Sequence, residues 1–176
     1  PDHKPTITVQ TIESGTTASF RALAVVDEGT VWASGTGGTI LRTVDAGKSW
    51  ENVSYGIPDS IDFRDIEAFS ANEAILLSSG SPGLVYRTED GGKNWDLVYE
   101  DYRPAIFFDG MDFWDNQSGI AFGDAIDGYI EVIVTNDGGK SWQRMPPESR
   151  PLALAGEGGF AASGTCITTF GDSSVW

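Results

Sequence analysis

The chain has one cysteine, Cys166, and one histidine, His3, among its 176 residues. A lone cysteine can form no internal disulfide and excludes a cysteine-rich metal centre. Set in an apolar stretch, Cys166 reads as a small buried hydrophobe. His3 stands alone in a polar N-terminal stretch; no metal site is expected, and there is no His-Glu-x-x-His or Gly-x-Ser-x-Gly sequence. Basic residues are scarce: 11 Lys and Arg face 26 Asp and Glu, a formal net charge of −15. This balance argues against nucleic acid, whose phosphates need clustered cations, and against an anionic membrane surface. No apolar run approaches the ~20 residues of a membrane-spanning helix, so no membrane insertion is expected. A soluble binder of neutral or cationic ligands fits the acidity.

What the chain has instead is repetition. The phrase Thr-x-Asp-x-Gly-Lys-x-Trp occurs three times, at Thr43–Trp50, Thr88–Trp95 and Thr135–Trp142. A chance match to its five fixed positions is roughly a one-in-a-million event. Each copy lies between β-branched and aromatic runs, the pattern of a hairpin. In such a corner Asp45, Asp90 and Asp137 can accept backbone N–H bonds from the residues beyond them. Gly47, Gly92 and Gly139 supply the positive φ, and Trp50, Trp95 and Trp142 bury a ring whose N–H seeks a carbonyl. These residues, with Thr43, Thr88 and Thr135, read as scaffolding.

Upstream of each corner, Phe20–Val25, Phe63–Phe69 and Phe108–Trp114 align as first strands, followed by second strands at Val31–Ser34, Ala74–Ser78 and Gly119–Gly123. Each unit is thus four antiparallel strands. A period near 45 residues predicts an all-β chain of β-propeller blades, bounded at about 19–54, 62–100 and 107–146, with an incomplete fourth at 163–176 and a possible closing strand at 6–12. About three and a half blades fall short of the usual four to eight. The missing blades are expected from the rest of a longer chain or from another subunit.

In a four-stranded meander the corners between strands 3 and 4 emerge opposite the rim where inner strands begin, so the recurring aspartates are set aside as binding residues. The candidates on the other rim are Arg21, Arg64, Asp65, Asp109 and Asp112, with the stretch Gly123–Gly128 carrying Asp124 and Asp127. Two carboxylates three apart beside glycines suit a cation or acid–base work, and equally suit turn capping. Gly156–Phe160 approaches the same rim.

The recurring phrase resembles the Asp-box, or BNR, repeat of sialidases, sortilin-like receptors and xyloglucan-degrading glycoside hydrolases. The spacing, with Phe-Arg-x-Leu at Phe20–Leu23, is most similar to photosystem II stability/assembly-factor propellers and their bacterial relatives, some labelled oxidoreductase. The resemblance implies a propeller of about seven blades, exported from the cytoplasm, acting without a cofactor as a binding scaffold for a protein or carbohydrate ligand. A glycoside hydrolase using paired carboxylates is the alternative it leaves open, and an oxidoreductase the minor one. Sialidases carry three site arginines. Here Arg21 and Arg64 have Asp109 as their third equivalent.

Overall fold

In the computed structural model, residues 8–159 and 165–176 are described here. Among them the chain forms three four-stranded antiparallel sheets and a two-stranded one. The first sheet holds β1 (Phe20–Val25), β2 (Val31–Gly35), β3 (Ile40–Thr43) and β4 (Glu51–Asn52). The second holds β5 (Phe63–Ala68), β6 (Ala74–Ser78), β7 (Gly83–Thr88) and β8 (Asp96–Asp101). The third holds β9 (Phe108–Phe113), β10 (Gly119–Ile126), β11 (Tyr129–Thr135) and β12 (Gln143–Arg144). A hairpin of β13 (Thr169–Phe170) and β14 (Ser174–Val175) stands where a fourth blade begins. Each large sheet is a meander in chain order. Residues 8–12 join no sheet, and the rest of the anticipated closing strand lies outside the described residues, as do residues 163 and 164 of the fourth unit.

Two apolar seams hold the blades together. Ala22, Trp32, Ile40 and Val53 of blade one meet Phe63, Ile66, Ala74 and Leu76 of blade two. The opposite face of blade two (Ile75, Leu77, Val85) meets Phe108, Met111, Ala121, Ile133 and Trp142 of blade three. A strand buried on both faces reads as a continuous apolar run, which explains Ala-Ile-Leu-Leu in β6, where every residue is buried. Among the described residues the outward face of blade one has no such neighbour, and Leu23 and Val25 are about two-thirds exposed.

The Asp-box corner is closed by its own side chains. Thr43 Oγ1 accepts the Gly47 N–H at 3.0 Å and donates to Asp45 Oδ1 at 2.8 Å; Asp45 in turn accepts the Ser49 N–H at 2.9 Å and its hydroxyl at 2.6 Å. Thr88, Asp90, Gly92 and Asn94 repeat the arrangement, as do Thr135, Asp137, Gly139 and Ser141. These bonds to the ionised form hold Asp45 at about 2, chiefly through Ser49, and Asp90 at about 2, chiefly through Asn94. The corner also grips the turn between strands 1 and 2 of its own blade: Ala46 N donates to Gly29 O, Gly91 N to Asn72 O and Gly138 N to Gln117 O. Both turns therefore lie on one rim. On the other, Ser79 N donates to Asp62 O and Asp124 N to Phe107 O, tying each second strand's end to the approach to the first.

The tryptophans behave unequally. Trp95 Nε1 donates to Val53 O at 2.8 Å, a carbonyl just past the end of the short β4. Trp142 is buried edge-on to Phe113, and among the described residues its N–H has no acceptor. The carbonyl sought by the corner indole is thus found for Trp95 and, among the described residues, not for Trp142.

Two substitutions test the corner. A Cβ on Gly139 would fall 2.2 Å from Ile75 Cδ1, at a φ of 76°. Gly139→Ala is expected to cost about 3 kcal/mol, combining overpacking with left-handed strain. Ala46 occupies the position of Gly91 and Gly138 at a φ of 61°, so Ala46→Gly is expected to stabilise by about 0.5 kcal/mol, strain relief less the added chain entropy. Urea denaturation reads both.

Candidate functional site

The rim opposite the Asp-box corners is shaped by a recurring irregularity. Pairing of each first strand with its second slips by one residue at the start: Phe20 faces Gly35 while Ala22 faces Ser34, Phe63 faces Ser78 while Asp65 faces Leu77, and Phe108 faces Gly123 while Gly110 faces Phe122. The extra residues are Arg21, Arg64 and Asp109. A bulge re-aims the side chain it carries, and here it puts these three at equivalent places on successive blades. Close approach requires a small residue opposite: a Cβ at Gly35 would lie 2.3 Å from Ser19 O, and one at Gly123 would lie 2.1 Å from Phe107 O.

The structure brings Arg64, Asp109 and Asp124 together. The Arg64 guanidinium lies over the Phe107 ring at 5.3 Å. Asp109 is buried, and among the described residues neither of its oxygens has a hydrogen-bond partner. Burial, then the charge of Asp124, raises its carboxyl to about 6 against the opposing pull of Arg64. Asp124 accepts the Gly159 N–H at 2.8 Å.

The other candidates are placed differently. Asp65 is buried as a link between blades: Oδ1 accepts the Ile66 N–H and Oδ2 the Met111 N–H at 2.8 Å. Even so, burial pushes it well above the carboxylate range. Asp112 forms the corresponding link one blade on, accepting the Thr169 N–H at 2.5 Å. Asp65 and Asp112 share with Arg21, Leu23 and Glu67 the wall of an inner-strand cavity of about 880 Å³. Asp127 stands apart from these. The expected loop Gly123–Gly128 is mostly strand, since β10 continues to Ile126; Asp127 and Gly128, at φ 55° and 82°, are the two central residues of a hairpin turn. Asp-Gly favours a two-residue turn with both φ positive, so Asp127 is exposed at its tip rather than paired with Asp124.

Two features escaped the sequence reading. Glu67, half-buried on β5, is raised to about 7 by burial and then by the Asp112 charge. Glu131, deep in β11, is held by Arg103 at 2.7 Å, Arg144 at 2.6 Å and Arg150. Burial alone would raise it; hydrogen bonds from Arg144 and Arg103 outweigh this and bring it to about 2. Arg103 also pairs with Asp101 at 2.6 Å, so the cluster joins blade two to blade three. The available signal was one acid inside the apolar run Tyr129–Val134. Among the described residues no group of acidic, histidine or cysteine side chains is arranged to hold a metal ion, and no helix is long and apolar enough to cross a membrane.

Radial four-stranded meanders with Asp-box corners on one rim define an Asp-box β-propeller. The chain belongs to the family described as photosynthesis system II assembly factor YCF48, whose profile matches residues 4–105. A solved structure of YCF48 bound to D1 peptide is similar at 24% identity and TM-score 0.59, covering 76% of this chain and 42% of that one. YCF48 from Cyanidioschyzon merolae gives 21% identity and TM-score 0.58, covering 78% and 43%. The GH74 xyloglucanase from Xanthomonas campestris shares the fold at 18% identity and TM-score 0.53, covering 67% of this chain and 19% of that one. No curated protein matches. The chain thus spans less than half the length of the YCF48 structures it matches.

The raised and lowered carboxyls set opposite pH slopes. Glu67 and Asp109 bind protons more tightly folded than unfolded; their stabilisation is complete below the unfolded value of about 4 and is lost as pH rises through about 6 to 7, with buried Asp65 acting in the same direction. Glu131, Asp45 and Asp90 do the reverse, contributing above about 4 and losing that contribution as pH falls toward 2. Thermal melts from pH 2.5 to 8 should peak between about pH 4 and 5, with Glu67→Gln flattening the fall on the alkaline side.

Proposed function

We propose that this chain is part of a non-enzymatic propeller that binds a protein segment on the rim carrying Arg21, Arg64 and Asp109. The observation that carries this reading is the engagement of the carboxylates: Asp65 and Asp112 staple neighbouring blades, Asp124 holds a backbone N–H, and Asp127 shapes a turn. Acid–base chemistry needs such groups open to a substrate. Membership of the assembly-factor family supports it, as does the peptide bound to a solved relative. The protein acts outside the cytoplasm, as its resemblance implies. The blades beyond these three come from the rest of a longer chain or from a second subunit, covering the exposed Leu23, Val25, Phe170 and Trp176.

A second reading, glycoside hydrolysis, draws on the likeness to xyloglucanase and on Asp109, a carboxyl held up toward neutrality beside Asp124. Titrating the full-length protein with D1 peptides, alongside a xyloglucan and sialoside panel, separates the two. Saturable peptide binding weakened at least tenfold by Arg64→Ala, with no sugar released, is the expected result. Turnover of a glycan lost in Asp109→Asn would replace it with the hydrolase.

A further inference from the structure

Asp109 and Asp124 are covered from one side by the segment Leu154–Gly159. The segment is closed on itself: Glu157 N donates to Leu154 O at 3.0 Å, and Leu154 N donates to Glu157 Oε2 at 2.6 Å. Beyond this turn the backbone descends onto the two carboxyls. Gly159 N bonds Asp124 Oδ1 at 2.8 Å, a Cβ on Gly158 would stand 2.8 Å from that oxygen, and a Cβ on Gly159 would stand 2.0 Å from Asp109 Oδ2. Only glycine backbone can lie this low. It leaves Asp109 1% exposed, with no described donor on either oxygen.

We propose that Leu154–Gly159 is a proton-controlled cover over Asp109 and Asp124, seated while Asp109 is neutral and lifting from the rim when Asp109 ionises. The consequence for ligand access rests on the proposed rim, whereas the chemistry of the cover stands without it. An ionised carboxyl with neither water nor donor is costly to bury, and here the nearest charge on the third blade is Asp124. The cover brings a further acid, Glu157. Arg64, from β5, attracts Asp109, while Asp65 on the same strand and the Cys166 thiol, which donates to Asp109 O at 3.2 Å, complete the titratable surroundings. Burial and Asp124 outweigh Arg64, since Asp109 remains raised to about 6. Water reaches its oxygens when the glycines move away, and in the lifted state the group returns to the ordinary value of about 3.9.

That difference of about two pH units makes seating roughly tenfold weaker at pH 8 than at pH 5. Amide exchange of Ala155–Gly159, measured by NMR at both pH values and corrected for intrinsic rates, should show about a tenfold loss of protection. The Asp-box amides of Gly92 and Gly139 should hold theirs. In Asp109→Asn the change should vanish. Where that variant does not fold, Asp124→Asn keeps an oxygen for Gly159 N and removes the neighbouring charge, so the midpoint should move to lower pH. Protection indifferent to pH in the natural protein, the same pH response in Asp109→Asn, or an unmoved midpoint in Asp124→Asn would overturn the proposal. No ligand enters this measurement, so failure of peptide binding bears only on the function proposed above.

Discussion

Each third strand of this chain ends in a threonine whose hydroxyl must do three things at once. It receives the N–H groups of the aspartate and of the glycine two residues beyond it, and donates its own proton to the aspartate carboxylate. A strand end buried against a neighbouring blade has no water to satisfy those groups, and a buried donor left without a partner is costly. The side-chain corner removes that cost locally. It lets the chain reverse within a few residues while keeping glycine backbone low enough for the preceding blade's Val53 or Ile75 to touch it. The apolar seams follow, because a blade is a sheet apolar on both faces and needs the next blade brought within contact distance.

Much of this was legible because it is local. The Asp-box is a short string of residues that bond one another, so its sequence and its geometry are nearly the same information. Strand order followed from the repeat, and the all-β propeller class from strand order. The candidate rim was legible only in outline. Aligning Phe20, Phe63 and Phe108 placed Arg21, Arg64 and Asp109 at equivalent positions, but the bulge that re-aims them depends on pairing with the second strand. Asp127 was grouped with Asp124 by proximity in the chain, although Asp127-Gly128 carries the chemistry of a two-residue turn, which sends the two carboxylates apart. The Glu131 cluster was beyond local reading, since its arginines stand 28, 13 and 19 residues away. Nothing near Asp109 in the sequence announces that Gly158 and Gly159 lie over it.

The two rims divide the labour electrostatically. On the Asp-box rim the carboxylates are hydrogen-bonded in their ionised form and solvated, which keeps them charged over most of the pH scale. On the inner strands and the opposite rim, carboxyls are buried among apolar side chains and one another, which favours the neutral form. The same residue type is thus a fixed solubilising charge at one end of the blade and a titrating group at the other, decided by burial and donors rather than by composition.

The Glu131 cluster bears on which blade can stand beside which. Apolar contact between blades is non-directional, whereas an ion cluster needs particular partners. Glu131 sits on blade three but draws Arg103 from the segment leaving blade two. Beside a blade without that arginine, blade three would carry its buried acid into the seam with one partner fewer. The ion cluster therefore adds to this seam a preference for one particular neighbour, which apolar contact alone does not supply.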